Sequence, residues 1–200
     1  MRPIVQSDWF GPLIVTIAAV AIVGVLNPSF LSPFNIQILL LAISVNAMIA
    51  FSQMVIIAIG QMNLSVGAIG GLAAISFGGM MEVWGLPWPI AAVLALGVGL
   101  LCGLANGALV AFTGISAFII TLASLSVFKG INLGITEAQP FYEIPDAVKA
   151  LGNETFVHPL PWLVIPAAFV SVALWYLFFR LPLGRSILAV GGNTHAAELS

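Results

Sequence analysis

A polar segment interrupts the apolar sequence between residues 60 and 71, where it reads Gly-Gln-Met-Asn-Leu-Ser-Val-Gly-Ala-Ile-Gly-Gly. Its Gln61, Asn63 and Ser65 side chains are neutral hydrogen-bonding groups, so they could bind a polar solute without burying a charge. Irregular backbone at membrane depth survives only inside protein or beside a water-filled cavity, and transporters expose such breaks to a solute. A simple turn, with Asn63 or Ser65 capping the next helix, would give the same pattern. The residues leave both interpretations open.

Three more amides lie in the neighbouring apolar stretches. Asn46 and Gln53 are seven residues apart, so on a helix they share a face and could line a cavity or bond a neighbouring helix. Asn106 lies beside Gly99, Gly103 and Gly107. Small residues four apart let helices approach closely, which predicts tight packing there and an interhelical hydrogen bond from Asn106.

The sequence offers few groups for enzymatic chemistry. The stretch from residue 9 to residue 128 contains a single acidic residue, Glu82, and the two histidines lie at 158 and 195. This predicts no metal or acid–base cluster, and no phosphate-binding loop motif occurs. Cys102 is the sole cysteine, which excludes an intrachain disulfide. We therefore expect no cofactor and no enzyme activity, and any energy must come from another chain.

The composition predicts an integral membrane protein. Hydrophobic residues make up 61% of the 200 positions and charged residues 6%, against roughly 25% charged in soluble chains. The mean hydropathy is +1.17. Five basic residues and a net charge of −2 leave no electrostatic footprint for nucleic acid. Membrane lipid is thus the expected surrounding of most of the surface.

Turn signals divide the apolar sequence into six expected spans, since each needs about 20 mainly apolar residues. We expect an all-α polytopic helix bundle forming a single domain, residues 1–200. The spans are predicted at about 11–30, 34–60, 67–82, 88–112, 117–136 and 162–179. The first is expected to be retained rather than cleaved as a signal peptide, because Asp8 interrupts the basic N-terminal region.

Basic residues predict the orientation. Arg2 precedes the first span, and Arg180 and Arg185 follow the sixth, so both ends of the chain are expected in the cytoplasm. The segment 137–161 then faces outside, with a short surface helix predicted from Pro145 to Gly152. Residues 180–200 form a cytoplasmic tail in which Asn193 or Thr194 is predicted to cap a helix after Gly191 and Gly192.

Several motifs together resemble one transporter family. The break Gly-Gln-Met-Asn-Leu-Ser-Val-Gly is similar to the signature Gly-Gly-x-Asp-Leu-Ser-Val-Gly of the permeases of bacterial ABC sugar importers. These are the ribose, xylose and galactose importers, which share a wider family with branched-chain amino-acid permeases. Gly103-Leu104-Ala105-Asn106-Gly107 resembles the family's Gly-x-x-Asn-Gly. Two positions depart from the signature, since Gln61 and Asn63 stand where glycine and aspartate are common.

The resemblance implies a permease working by alternating access in a bacterial inner membrane. The six spans, at about 20 residues each, would be the first six of the family's roughly ten helices. The implied partners are a cytoplasmic ATP-binding subunit, a periplasmic or lipid-anchored solute-binding protein and a second permease. The candidates for the solute path are Asn46, Gln53, Gln61, Asn63, Ser65 and Asn106. The implied ATPase-coupling residues are Gly191, Gly192, Asn193, Ala196, Ala197 and Glu198. The alternative function is a secondary carrier or channel using segment 61–66, and the solute is not identified.

Overall fold

The computed structural model describes residues 9–194 and residue 197, and most of this part of the chain is helical. The helices are α1 (Phe10–Leu26), α2 (Pro33–Ala58), α3 (Val66–Glu82), α4 (Trp88–Thr113), α5 (Ala117–Thr136), α6 (Asp146–Asn153), α7 (Val164–Arg180) and α8 (Pro182–Gly192). A 3-10 turn, Pro28–Leu31, joins α1 to α2. Strands β1 (Thr155–Val157) and β2 (Leu160–Pro161) form a small antiparallel hairpin before α7.

Helix boundaries follow the turn signals of the sequence. Pro33 opens α2, where the Ser32 side chain accepts a hydrogen bond from the Asn35 N–H. Helix α4 ends at Gly114, whose φ of 68° is in the left-handed region that favours glycine. The Ser116 hydroxyl then accepts from the Phe118 N–H at the start of α5. Local capping chemistry thus fixes the ends of the long helices.

The apolar helices confirm the expected all-α membrane bundle. Helices α2, α4 and α5 are each long and apolar enough to cross a membrane, and α7 with α8 would make a fourth span only as a pair bent by 76°. Helices α1 and α3 are apolar but have 17 residues each, which is about 25 Å at 1.5 Å per residue. That is slightly less than the ~30 Å of a hydrocarbon core, so the six-span division stays a prediction.

The core lies among α3, α4 and α5, where Ala68, Leu72, Cys102 and Phe128 form one buried cluster. Many large apolar side chains elsewhere are exposed, and Phe112, for example, is 89% exposed. In water such an apolar surface would drive aggregation, whereas contact with lipid carries no free-energy penalty. The outward-facing surface is therefore consistent with a membrane setting.

The glycines of α4 do not form the predicted contact face. The buried side of α4 consists of Ala91, Ala95, Cys102 and Asn106. A Cβ on Gly99 would touch Ile69 at 3.9 Å, but a Cβ on Gly103 or Gly107 would meet nothing within 4 Å in the described chain. Four residues exceed one turn of 3.6, so each step along this row rotates about 40° away from α3. Within the described residues, the close approach predicted for this glycine row is therefore seen at Gly99 and not at Gly103 or Gly107.

Two parts of the secondary structure differ from expectation. Segment 137–161 contains the predicted short helix, which runs one residue past Gly152, and also the β1–β2 hairpin, which was not predicted. The tail is helical from Pro182 to Gly192, a helix that was not predicted, and Gly191 and Gly192 form its last turn. Packing against other helices outweighs the low helix propensity of these two glycines.

Polar contacts place the predicted outer segment at one end of the bundle. Glu82, at the end of α3, accepts hydrogen bonds at Oε2 from the N–H groups of Tyr142 (2.6 Å) and Glu143 (2.8 Å). Gln37, near the start of α2, donates from Nε2 to the Asn153 carbonyl at 2.9 Å. The end that carries segment 137–161 is called the loop end below.

Candidate functional site

The segment 59–65 between α2 and α3, called the break below, lies at the opposite end of α2 from the loop end. Helix α2 closes with the Gly60 N–H bonded to the Ile57 carbonyl (2.8 Å) and the Gln61 N–H bonded to the Ile56 carbonyl (3.1 Å). Gly60 has a φ of +77°, a left-handed conformation in which a Cβ would be strained. The reversal of the chain at this point therefore requires the glycine.

Asn63 organises the start of α3. Its Oδ1 accepts two hydrogen bonds from Ser65, one from the backbone N–H at 2.9 Å and one from the hydroxyl at 2.7 Å. This is the local turn that Asn and Asp side chains form with the residue two positions on. Ser65 occupies the N-cap position, but its side chain makes no capping bond to α3. The Ser65 hydroxyl is committed to Asn63 and to another helix.

That other helix is α4. The Asn106 Nδ2 donates to the Ser65 hydroxyl at 2.8 Å, and the Asn106 Oδ1 accepts from the Ser124 hydroxyl of α5 at 2.6 Å. The interhelical bond predicted for Asn106 is present. The three side chains are nearly inaccessible, with Ser65 0%, Asn106 5% and Ser124 8% exposed. Buried polar groups with all partners satisfied specify one arrangement of the helices.

A second connection to α5 comes through Thr121, whose hydroxyl accepts from the Leu64 N–H at 3.1 Å and donates to the Ala117 carbonyl at 2.6 Å. Sequence reasoning did not single out Thr121 or Ser124. Their spacing of three residues puts both on the buried face of α5. Such a hydroxyl pair on an apolar helix is the signal that could have found them.

The Ser65 end of the break is buried between helices, whereas Gly60, Gln61 and Met62 are exposed. Asn106 is seven residues before the end of α4, and Ser124 is seven residues after the start of α5. Seven helical residues correspond to about 10 Å. The start of α3 is thus bonded to its neighbours about two turns inside their ends.

Gln53 faces the break from α2 and leaves an unused acceptor there. Its Nε2 donates to the Asn63 carbonyl at 2.8 Å. Its Oε1 is buried and has no hydrogen-bond partner within the described chain. A buried acceptor without a partner costs roughly 1–3 kcal/mol. A solute hydroxyl or a water donating to this oxygen would remove that cost.

The remaining solute-path candidates lie outside this network. Asn46 is exposed, and its Nδ2 donates to the Ala42 carbonyl of its own helix at 2.8 Å. The structure therefore does not bring Asn46 into one site with Gln53. Gln61 is exposed at the break. Gln53, Asn63, Ser65 and Asn106 are the four candidates that the structure brings together through the bonds described above.

The network is electrically neutral, since amides, hydroxyls and backbone groups make up all of it. Among residues 9–194 and 197, no group of three or more His, Cys, Asp or Glu residues could hold a metal ion. The ion pair between Lys149 and Asp146, at 3.5 Å, lies in α6 at the loop end. The break can therefore recognise a solute by hydrogen bonds, with no charged side chain in the network.

The ATPase-coupling candidates lie at the end of α8. Gly191 and Gly192 close the helix, and Asn193 follows in extended conformation. The Ala197 N–H donates to the Asn193 carbonyl at 3.0 Å, so Asn193 stands where a helix cap is expected. Ala196 and Glu198 lie outside the described residues. Gly191 packs against the backbone of α2 at Ala58, immediately before the break.

Comparison with known proteins gives one consistent result. Residues 35–200 match the family model described as branched-chain amino acid transport system / permease component. The chain is 37% identical over 193 residues to the ribose import permease protein RbsC of Bacillus subtilis, covering 95% of this chain and 59% of that protein. It is 35% identical to the D-allose transport system permease protein AlsC of Escherichia coli, covering 96% and 59%.

A third relative is the autoinducer 2 import system permease protein LsrD of an Enterobacter strain, at 34% identity over 93% of this chain and 58% of that protein. The chain thus spans about three fifths of the length of these curated relatives. No solved structure matches the chain.

Proposed function

The chain belongs to the family of branched-chain amino acid transport system permease components, and from this membership we propose that it forms part of the solute pathway of an ATP-driven importer. The observation that carries the proposal is the neutral break held inside the bundle by Asn106, with the buried Gln53 Oε1 unpaired beside it. Backbone breaks at such depth are the means by which transporter helices present polar groups to a solute.

The proposed solute is a neutral polyhydroxylated molecule such as a sugar. The relatives are named for ribose, allose and autoinducer 2. An amino acid carries a carboxylate and an ammonium group, and binding it would favour charged partners or helix dipoles. The polar side chains of the break are amides and a hydroxyl, which pair with sugar hydroxyls as both donors and acceptors.

The proposed solute path runs past Gln53, Gln61 and Asn63. Ser65 and Asn106 are assigned a different part, since their hydrogen-bonding groups are engaged with each other and with α5. In this proposal, these two residues fix the start of α3 against α4 and α5. Asn46, exposed on α2 and bonded within its own helix, is the weakest of the path candidates.

We assign energy coupling to separate chains. In the proposed importer a solute-binding protein delivers solute to the loop end, and a cytoplasmic ATPase contacts the segment from Gly191 to Glu198. A second permease subunit completes the path, and the assembly lies in a bacterial inner membrane with both chain ends cytoplasmic. The chain itself is a transporter component and not the enzyme that hydrolyses ATP.

The test is uptake by the permease reconstituted in vesicles with its cognate ATPase and solute-binding protein. We expect labelled ribose or allose to accumulate when ATP is supplied, and uptake to persist when ionophores remove ion gradients. Leucine is the matched competitor. Uptake that depends on an ion gradient and not on ATP would support a secondary carrier instead, and preferential leucine uptake would overturn the proposed solute class.

A further inference from the structure

Helix α8 is held at two points by close contact with the backbone of other helices. A Cβ at Gly184 would overlap the Leu177 carbonyl oxygen and lie 2.6 Å from the Phe178 Cα, both in α7. A Cβ at Gly191 would overlap the Ala58 carbonyl oxygen and lie 3.2 Å from the Ile59 Cα, at the end of α2. Only glycine fits at either position, because the neighbouring atoms are backbone and cannot rotate away.

The two contacts make α8 a bridge from α7 to α2. Gly184 and Gly191 are seven residues apart, which is two turns and about 10 Å along one face of the helix. Helix α8 is bent by 76° from α7, so it runs across the bundle and does not continue α7. Its far end therefore rests on α2 and has no comparable backbone contact with α7.

The contact with α2 lies directly beside the break. Ala58 is the last residue of α2, and Gly60 follows with its positive φ. A Cβ added at Gly60 would lie 3.9 Å from the Gly191 carbonyl oxygen. Gln53, which bonds the Asn63 carbonyl, is five residues earlier on the same helix. A displacement of α8 at Gly191 would therefore act on the segment that presents Gln53 and Asn63.

We propose that Gly191 is a positioning residue that joins the ATPase-contact segment to the break, so that the end of α8 and the end of α2 move as one body during transport. This rests on the proposed function of the chain as an importer subunit. A tight backbone contact suits such a joint, because closely packed backbone atoms are hardly compressible and therefore transmit a displacement. The force then reaches the break through α2 and not only through α7.

Gly134 in α5 provides a matched control outside both the ATPase-contact segment and the break. A Cβ at Gly134 would meet nothing within 4 Å of it in the described part of the chain. Gly191→Ala and Gly134→Ala therefore make the same chemical change within a helix, one against backbone and one in open space. Both raise helix propensity by a similar amount. A difference between the variants therefore does not come from helix propensity.

The first experiment measures solute imported per ATP hydrolysed in the reconstituted complex. We expect Gly191→Ala to lower this ratio by about fivefold, the factor that corresponds to the low end of typical overpacking costs. ATP hydrolysis itself should continue, now independent of the solute-binding protein. Gly134→Ala should match the unmodified complex. Equal ratios in both variants, or a parallel loss of uptake and hydrolysis in Gly191→Ala, would overturn the proposal.

A second experiment leaves Gly191 unchanged. Ala58 and Leu188 line one apolar groove, so cysteines at these two positions can be linked by a short, cleavable bifunctional thiol reagent in a Cys102→Ala background. If α8 and the end of α2 move together, linking them leaves ATP-driven uptake unchanged. Loss of uptake on linking, with recovery on cleavage, would overturn the proposal. The two single-cysteine variants treated with the reagent are the controls.

These outcomes separate the inference from the proposed function. An unmodified complex that shows no ATP-driven uptake overturns both. An unmodified complex that imports solute, with a linked pair that no longer does, overturns the inference alone. Protection of Cys102, which is buried in α4, against a maleimide checks that Gly191→Ala remains folded before its coupling ratio is measured.

Discussion

Asn106 and Ser65 are joined by a hydrogen bond of 2.8 Å from the side-chain amide to the hydroxyl, across 41 positions of sequence. The bond fixes the start of α3 about two helical turns inside the end of α4. Ser124 completes the arrangement by donating to the side-chain Oδ1 of Asn106. The position of the Ser65 end of the break is therefore held by α4 and α5 as well as by the local turn.

Replacing Asn106 should loosen this region. Asn106→Leu removes one donor and one acceptor, leaving the Ser65 and Ser124 hydroxyls to find other partners inside the bundle. We expect a loss of about 1–3 kcal/mol in stability. The rate at which the buried Cys102 thiol reacts with a maleimide fluorophore during heating in detergent measures the loss.

Asn46→Leu is the control for this change, since the Asn46 amide is exposed and bonds only within α2. That variant should unfold at nearly the same temperature as the unmodified protein. Equal destabilisation by the two substitutions would show that the Asn106 bonds do not fix the break.

A second prediction concerns the departure from the family signature at Asn63. Both side-chain hydrogen bonds of Asn63 use its Oδ1 as acceptor, and a carboxylate oxygen can accept the same two bonds. We expect Asn63→Asp to keep the fold of the break. Asn63→Leu should lose both bonds and cost about 1–3 kcal/mol, measured by the same Cys102 reactivity.

The pair also separates structure from solute binding at this position. If Asn63 Nδ2 contacts the solute, Asn63→Asp will raise the solute concentration needed for half-maximal uptake while leaving thermal stability unchanged. If Asn63→Asp is as unstable as Asn63→Leu, the turn does not depend only on the acceptor oxygen of residue 63, and the prediction is wrong.

Much of the fold is predictable from local signals. Pro33 and the Gly114 turn mark helix ends that the structure reproduces, and the membrane bundle follows from hydropathy alone. The break itself is visible in the sequence because its glycines and amides interrupt an apolar run. Local chemistry could not say whether it was a surface turn, since that depends on how deeply α4 and α5 extend beside it.

The errors concern packing between distant segments. Gly103 and Gly107 predicted a contact face, but the buried row of α4 runs through Cys102 and Asn106. Gly191 was considered only as a residue preceding a helix start, whereas it is the point where α8 meets α2. In each case the glycine was visible in sequence, but its role depends on which backbone lies beside it.

A third prediction concerns the loop end. Glu82 Oε2 accepts hydrogen bonds from the N–H groups of Tyr142 and Glu143. Phe141 packs on α3 beside Gly79, where an added Cβ would lie 3.1 Å from the Phe141 ring. Glu82→Ala should release this part of the outer segment. Because the bonds are solvent-exposed, we expect a cost of only about 1 kcal/mol.

Hydrogen exchange at Tyr142 and Glu143 is the measurement, and it should accelerate in Glu82→Ala. Glu82→Gln retains an amide oxygen as acceptor and should exchange at a rate between that of Glu82→Ala and that of the unmodified protein. Unchanged exchange in Glu82→Ala would mean that Phe141 alone holds the segment on α3.

The last prediction tests the orientation of the bundle in the membrane. The basic residues Arg180 and Arg185 flank the same end as the break, which favours placing that end in the cytoplasm. Single cysteines at the exposed positions Gln139 and Gly192, in a Cys102→Ala background, report the two ends. In intact spheroplasts a membrane-impermeant maleimide should label Gln139→Cys and leave Gly192→Cys unlabelled, and in inside-out vesicles the pattern should reverse. Labelling of Gly192→Cys from outside would invert the topology, and it would place the proposed ATPase contact on the wrong side of the membrane.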